Sequence, residues 1–217
     1  MLDGEFEKDK NGKWQKTSTV GDDIGVDFYH TDGKDKKGNT TQTTYVTDRK
    51  GNWNSINNGR EALSGEKRGN DTDWKDIYNE WKSDTGPVRS LFEADHPANK
   101  AIQGNYLFSS AYNDFKDSGL SKDGGSVDFG LLDIIMTGNN MQVQMMGSYR
   151  TSFYKLGDKT LSLIQDSKSR TSFYLHLPLH NYERGQGYIG KNGMWYPPIQ
   201  GENNTYQTYL FMAYPKK

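Results

Sequence analysis

The 217-residue sequence contains no cysteine. That excludes a disulfide framework, thiolate metal sites and a cysteine nucleophile, and it leaves the compartment open. No apolar stretch approaches the ~18 residues that a membrane-crossing helix requires. The start, Met1-Leu2-Asp3-Gly4-Glu5-Phe6, lacks the basic and apolar regions of a signal peptide. Charge of one sign is also lacking: the net value is −1, so there is no global basic footprint for nucleic acid. Neither a Gly-x-x-x-x-Gly-Lys phosphate loop nor a Gly-x-Ser-x-Gly nucleophile elbow occurs.

Against these absences stand fourteen Tyr and five Trp. Chains that stay disordered are poor in aromatics, so a folded domain is expected behind a polar, loosely packed region. The charge is uneven. Residues 1–139 hold 18 Lys/Arg against 24 Asp/Glu, and residues 140–217 hold 9 against 4. The C-terminal third can therefore carry a locally basic face for phosphate or for an acidic partner.

Residues 1–70 are rich in Gly, Asn, Asp, Lys and Thr. Short β-prone runs at Val26–Tyr29, Thr43–Val46 and Trp53–Ile56 are separated by Asp32-Gly33, Lys37-Gly38-Asn39 and Lys50-Gly51-Asn52. The expectation is a hairpin-rich connector without its own core. Residues 71–217 read as an α+β domain. Trp74, Ile77, Tyr78 and Trp81 recur at helical spacing, with Asp73 as cap and Gly86-Pro87 as stop. A second helix is expected from His96-Pro97 to Gly119. Segment 126–137 suits a short helix or a buried strand, giving two or three helices. From Met141 the period becomes two, so Val143, Met145, Tyr149, Thr151 and Phe153 are expected on one face of a long strand. Gly157-Asp158 and Asp166–Ser169 read as turns, leading to strands at 160–165 and 170–177. Thr205–Tyr214 closes an antiparallel β meander.

The pentapeptide Arg150-Thr-Ser-Phe-Tyr154 recurs as Arg170-Thr-Ser-Phe-Tyr174. If Phe153 and Phe173 point inward, then Arg150, Ser152, Tyr154, Arg170, Ser172, Tyr174 and His176 share the opposite face. Two guanidinium groups bind phosphate well, and His and Tyr supply acid and base. That set resembles a metal-independent ribonuclease surface, although an ordinary solvated sheet face has the same composition. His96, at a helix start, is a candidate base or a cap. His180 falls in a polar loop, and His30 in the connector carries no assigned role. His176 and His180 have the i, i+4 spacing of a helical metal pair but lie in a strand and loop. Asp22, Asp23 and Asp27 lack the order of a calcium loop. No metal or cofactor is expected.

Several blocks carry a family resemblance: Tyr45-Val-Thr-Asp-Arg-Lys-Gly-Asn-Trp53, Gly86-Pro-Val-Arg-Ser-Leu-Phe92 with His96-Pro97, Val127-Asp-Phe-Gly130, Met141-Gln-Val-Gln-Met-Met-Gly147, Leu156-Gly-Asp-Lys-Thr-Leu-Ser-Leu-Ile164, Asp166-Ser-Lys-Ser-Arg-Thr-Ser-Phe-Tyr174 and Thr205-Tyr-Gln-Thr-Tyr209. From about residue 20 onward the chain resembles the C-terminal toxin tails of Rhs-family polymorphic toxins of Gram-negative gut anaerobes. The resemblance implies an antibacterial effector carried by its parent Rhs core. Such an effector would be secreted by a type VI system, delivered into a target bacterial cell and neutralised by a cognate immunity protein. It assigns no catalytic residues, and fold or family alone does not choose the chemistry. The leading expectation is a metal-independent ribonuclease with RNA as substrate. The alternatives are a non-enzymatic toxin that disrupts membranes or binds a target protein, and a non-toxic structural or adhesive β-rich module.

Overall fold

The computed structural model describes residues 4–20, 24–56, 59–83, 85–93, 95–129, 146–168 and 205–214, with positions 133, 136, 140 and 143 and the pairs 188–189 and 195–196. The architecture is α+β, built on two multi-stranded sheets and closed by a C-terminal antiparallel meander.

The first sheet comprises β1 (Gly4–Lys8), β2 (Trp14–Ser18), β3 (Val26–Lys34), β4 (Thr40–Asp48) and β5 (Trp53–Ile56), in the order β2-β1-β3-β4-β5. Three of its turns, 9–13, 35–39 and 48–52, share one chemistry. Asp9, Asp35 and Asp48 each accept, through Oδ1, the N–H groups two and four residues on, at 2.8–3.0 Å. Gly12, Gly38 and Gly51 each donate back to that aspartate's carbonyl. Their φ values of 77°, 85° and 83° are the left-handed conformation of a type I turn followed by a glycine bulge. The Asp32-Gly33 pair is not a turn: β3 runs through it, and the chain reverses at Asp35. Because β1 pairs with β3 in parallel, the sheet is more than a string of hairpins.

Then come α1 (Gly59–Leu63), β6 (Glu66–Lys67), α2 (Trp74–Ser83), β7 (Arg89–Glu93), α3 (Pro97–Gln103) and α4 (Tyr106–Ser118). Asp73 caps α2 by accepting from the Lys75 and Asp76 N–H groups, while Asp76 accepts from the Asp73 N–H. This is a reciprocal capping box. The single helix expected from His96 to Gly119 is two, because Asn105 caps a fresh start through Leu107 N–H. Gly119, at φ 68°, ends the second helix.

The meander is β8 (Lys122–Val127), β9 (Tyr149–Leu156) and β10 (Lys159–Lys168), with a small ladder of β11 (Tyr188–Ile189) and β12 (Trp195–Tyr196), and the closing strand β13 (Thr205–Ala213). The second sheet runs β6-β7-β13-β10-β9-β8. The strand expected from Met141 begins at Tyr149. Val143 and Met146 are helical positions, and Gly147 at φ 62° closes that turn by donating to the Val143 carbonyl. Asp166–Lys168 continue β10 and do not form a turn. In segment 126–137, Val127 ends β8 while Asp133 and Met136 are helical.

Both faces of the second sheet are covered. Phe92, Phe153, Ile164, Tyr209 and Phe211 pack against Ile102, Phe108, Tyr112 and Phe115 of α3 and α4. On the other face, Leu91, Tyr154, Leu161, Leu163, Leu210 and Met212 meet Val26, Phe28, Val46 and Ile56 of the first sheet. A strand buried on both sides reads as an apolar run rather than an alternation, which is how Tyr-Leu-Phe-Met-Ala appears in β13. Asn54 ties the layers polarly, donating to the carbonyls of Ser121 and Lys155. Residues 1–70 thus supply the first sheet, α1 and the edge strand β6, and share a core with 71–217.

Candidate functional site

Of the six residues expected to act, three lie among the described residues, and the fold holds them apart. Arg150 is exposed on β9, in register with Ser126 and Gln165. Tyr154 lies on the same face four residues on. There the first sheet covers it to 5% exposure, and burial raises its phenol pKa against a weaker opposing hydrogen bond from Ser152. His96 belongs to the other side of the second sheet, with its ring 4.8 Å from that of Phe92. Its Nδ1 accepts the Ala98 N–H at 3.1 Å and its Nε2 lies 2.8 Å from the Gly69 carbonyl. Those partners require Nε2–H and a bare Nδ1, the neutral tautomer. Burial holds its pKa below the ordinary imidazole value. His96 is the cap of α3, with both nitrogens engaged. Arg170, Tyr174 and His176, like Ser172 and His180, lie outside the described residues.

A different constellation is assembled on the inner face of the first sheet. Along β3 and β4 that face begins apolar, at Val26, Phe28 and Val46, and becomes polar at His30, Asp32, Gln42 and Thr44. Pleat alternation puts these polar groups on the side where a core is expected. His30, 4% exposed, bridges two strands. Its Nδ1 is 2.8 Å from Thr44 Oγ1 and its Nε2 is 2.9 Å from Glu5 Oε1. Ser18 Oγ donates to Glu5 Oε2 at 2.5 Å. Since a carboxylate only accepts, Nε2 carries the proton, and Nδ1 is free to accept from the threonine hydroxyl. The result is a hydroxyl–imidazole–carboxylate chain, the order that polarises an O–H bond.

Helix α1 closes over this polar end. Thr40, Gln42, Thr44, Gly59, Arg60 and Glu61 line an open cavity of about 380 Å³. Gly59 is required by close approach, because a Cβ there would stand 2.5 Å from Thr44 Cβ and 2.7 Å from Thr44 Oγ1. Arg60 Nη2 reaches Glu7 at 3.3 Å and Asp32 at 3.6 Å. Its Nε–H is buried with no hydrogen-bond partner. Arg60, Glu61 and the Thr40 and Thr44 side chains thus line one cavity, with His30 and Glu5 behind Thr44 and Glu7 and Asp32 beside Arg60. Among the described residues, no group of three or more His, Asp or Glu side chains is placed to hold a metal ion. Nor is any helix long and apolar enough to cross a membrane.

The sequence reading left His30 out. The signal available was its alternation with Val26 and Phe28, which puts a titratable ring on a core-facing position. Glu5 and Ser18 carried no such signal, because a parallel β1–β3 pair is invisible to local pattern. No family model, curated protein or solved structure matches the chain.

Proposed function

We propose that this chain is an antibacterial effector, the toxin tail of an Rhs-type polymorphic protein, and that it cleaves RNA without a metal. The observation that carries the chemistry is the Thr44–His30–Glu5 chain opening beside Arg60. A ribose 2′-hydroxyl entering the cavity hydrogen-bonds Thr44 Oγ1. Thr44 takes that proton as it gives its own to His30 Nδ1, and Glu5 stabilises the resulting imidazolium. The 2′-oxygen attacks the adjacent phosphorus to form a 2′,3′-cyclic phosphate, and the 5′-oxygen leaves as a hydroxyl by taking a proton from water. His30 returns its proton to solvent through Thr44, and Arg60 takes the phosphate charge through its guanidinium. The Gly59 backbone stands over Thr44, which leaves room for a proton relay and little for a covalent adduct on Oγ1. The resemblance of the sequence blocks supports carriage by a parent Rhs core, delivery into a target bacterium and neutralisation by an immunity protein.

The test is growth of a susceptible bacterium expressing the chain in cytoplasm or periplasm, with total RNA examined and the purified protein assayed in chelator. Growth arrest in the cytoplasm with fragmented RNA is expected. Arg60→Ala removes a one-third-exposed side chain and should lower cleavage about 100-fold or more, the scale of losing one charge-stabilising donor. Glu5→Gln should do the same. Arrest with intact RNA would reject the ribonuclease reading, and normal growth in both compartments would reject the toxin reading.

A further inference from the structure

The outer face of the first sheet carries one aromatic residue on every strand. In spatial order these are Trp14 on β2, Phe6 on β1, Tyr29 on β3, Tyr45 on β4 and Trp53 on β5. Phe6 and Tyr29 are in register, as are Tyr29 and Tyr45. Trp14 and Trp53 sit one diagonal step away from Phe6 and Tyr45. The rings support each other: Phe6 stacks on Tyr29 at 5.1 Å, Trp14 meets Tyr29 edge-on at 5.0 Å, and Tyr45 meets Trp53 at 5.9 Å. Trp53 is 67% exposed, Trp14 38% and Tyr45 37%. Phe6, 2% exposed, lies beneath its neighbours as their support. Aromatic cross-strand pairs stabilise a sheet, but that purpose does not need a row ending in a tryptophan two-thirds open to water. Across five strands the row spans ~19 Å, room for about four nucleotides.

The charge around the row has one predominant sign. Lys8 lies over the Trp14 ring at 5.1 Å, Lys16 is paired with Phe6 across the sheet edge, and Lys122 reaches Ser55 beside Trp53. Asp27 is the one carboxylate that strand alternation places on this face among the described strands. The Thr41 and Thr43 positions put hydroxyls alongside the rings. Stacking rings with flanking ammonium groups are the elements of a single-strand platform, and the hydroxyls suit ribose. We propose that this face binds single-stranded RNA, anchoring the substrate of the cleft on the opposite face. The identity of the ligand rests on the ribonuclease reading. The cavity lies on the other face, between β4 and α1, so an RNA held on the row has to round an edge of the sheet to enter it.

The experiment measures fluorescence anisotropy of a labelled oligouridylate of about a dozen nucleotides with the full chain at two salt concentrations. A parallel assay follows cleavage of that oligomer and of a dinucleotide too short for the row. Trp53→Ala should weaken binding about tenfold and Trp14→Ala somewhat less. Lys8→Gln should flatten the slope of log affinity against log salt by about 0.7. Both tryptophan variants should raise KM for the oligomer and leave dinucleotide cleavage unchanged. Arg60→Ala should retain binding and lose cleavage, which separates the platform from the cleft. Oligomer affinity unchanged in the tryptophan double variant would overturn the proposal even if cleavage persists. So would salt-independent binding of a neutral oligosaccharide such as chitohexaose in place of RNA.

Discussion

The two sheets solve the same packing problem with opposite economy of apolar residues. The second sheet is covered on both faces, by α3 and α4 on one side and by the first sheet on the other. Its central strand β13 is therefore almost wholly buried. The first sheet has one covered face, and half of that is polar. It is held together by turn chemistry, cross-strand aromatics and a histidine network as much as by burial. A low apolar density in residues 1–70 thus accompanies a one-sided sheet that shares its core with a neighbour.

The sharpest way to break that arrangement is at the shared layer. Phe28 is 0% exposed between the sheets. Phe28→Ala should cost about 3–5 kcal/mol, the range for a buried phenylalanine truncated in a packed core. Because the two sheets share this layer, urea unfolding followed by tryptophan fluorescence and by far-ultraviolet circular dichroism should shift together. Two separated transitions in the wild-type protein would show that the first sheet folds independently of the second.

A smaller perturbation targets the turns. Gly38 has φ 85° with open space around its Cα, so an added methyl meets no neighbour and only the backbone conformation is strained. Gly38→Ala should cost about 1 kcal/mol, seen as a small loss in thermal midpoint, with the sheet otherwise retained. Gly59→Ala contrasts with it, since its Cβ would collide with Thr44. It should depress cleavage more than Gly38→Ala does.

Much of this contrast was legible beforehand. The β-prone runs at 26–29, 43–46 and 53–56 are strands β3, β4 and β5, and the Asp73-capped helix stands where its periodicity put it. Tyr149, Thr151 and Phe153 do share a buried face. What failed were long-range facts. Nothing local says that β1 pairs with β3 in parallel, that the face of Tyr154 is roofed by the first sheet, or that Gly104-Asn105 divides a helix whose apolar spacing continues across it. The candidate site fared less well than the fold. A repeated Arg-Thr-Ser-Phe-Tyr motif drew attention to β9, whereas the assembled chemistry joins residues 5, 18, 30, 44 and 60, brought together only by sheet register.

The finest distinction between the two halves is in how each responds to acid. In the first sheet, Asp9 is held below the ordinary carboxylate value by the backbone N–H groups of Lys13 and Asn11. Asp35 is held down by the Asn39 side chain and backbone. At Asp48 burial pushes the pKa up, but the Asn52 side chain, the Asn52 and Lys50 N–H groups and the Lys50 charge together bring it down. A carboxylate depressed on folding contributes stability that is present above its unfolded pKa and lost as pH falls through the folded value. These turns should therefore weaken only below about pH 4. His96 behaves differently. Burial lowers its pKa, the Gly69 carbonyl raises it, the Arg68 charge lowers it and Asp71 raises it, with a net fall. Neutral His96 therefore contributes stability that is complete above about pH 6.5 and declines as pH falls through the folded value. Protonation at Nδ1 removes the acceptor that caps Ala98. Thermal midpoints should fall as pH drops below about 6.5, and His96→Asn, which keeps a capping acceptor without a titrating ring, should abolish that fall while leaving the loss below about pH 4. An unchanged fall in that variant would assign the near-neutral transition to another group.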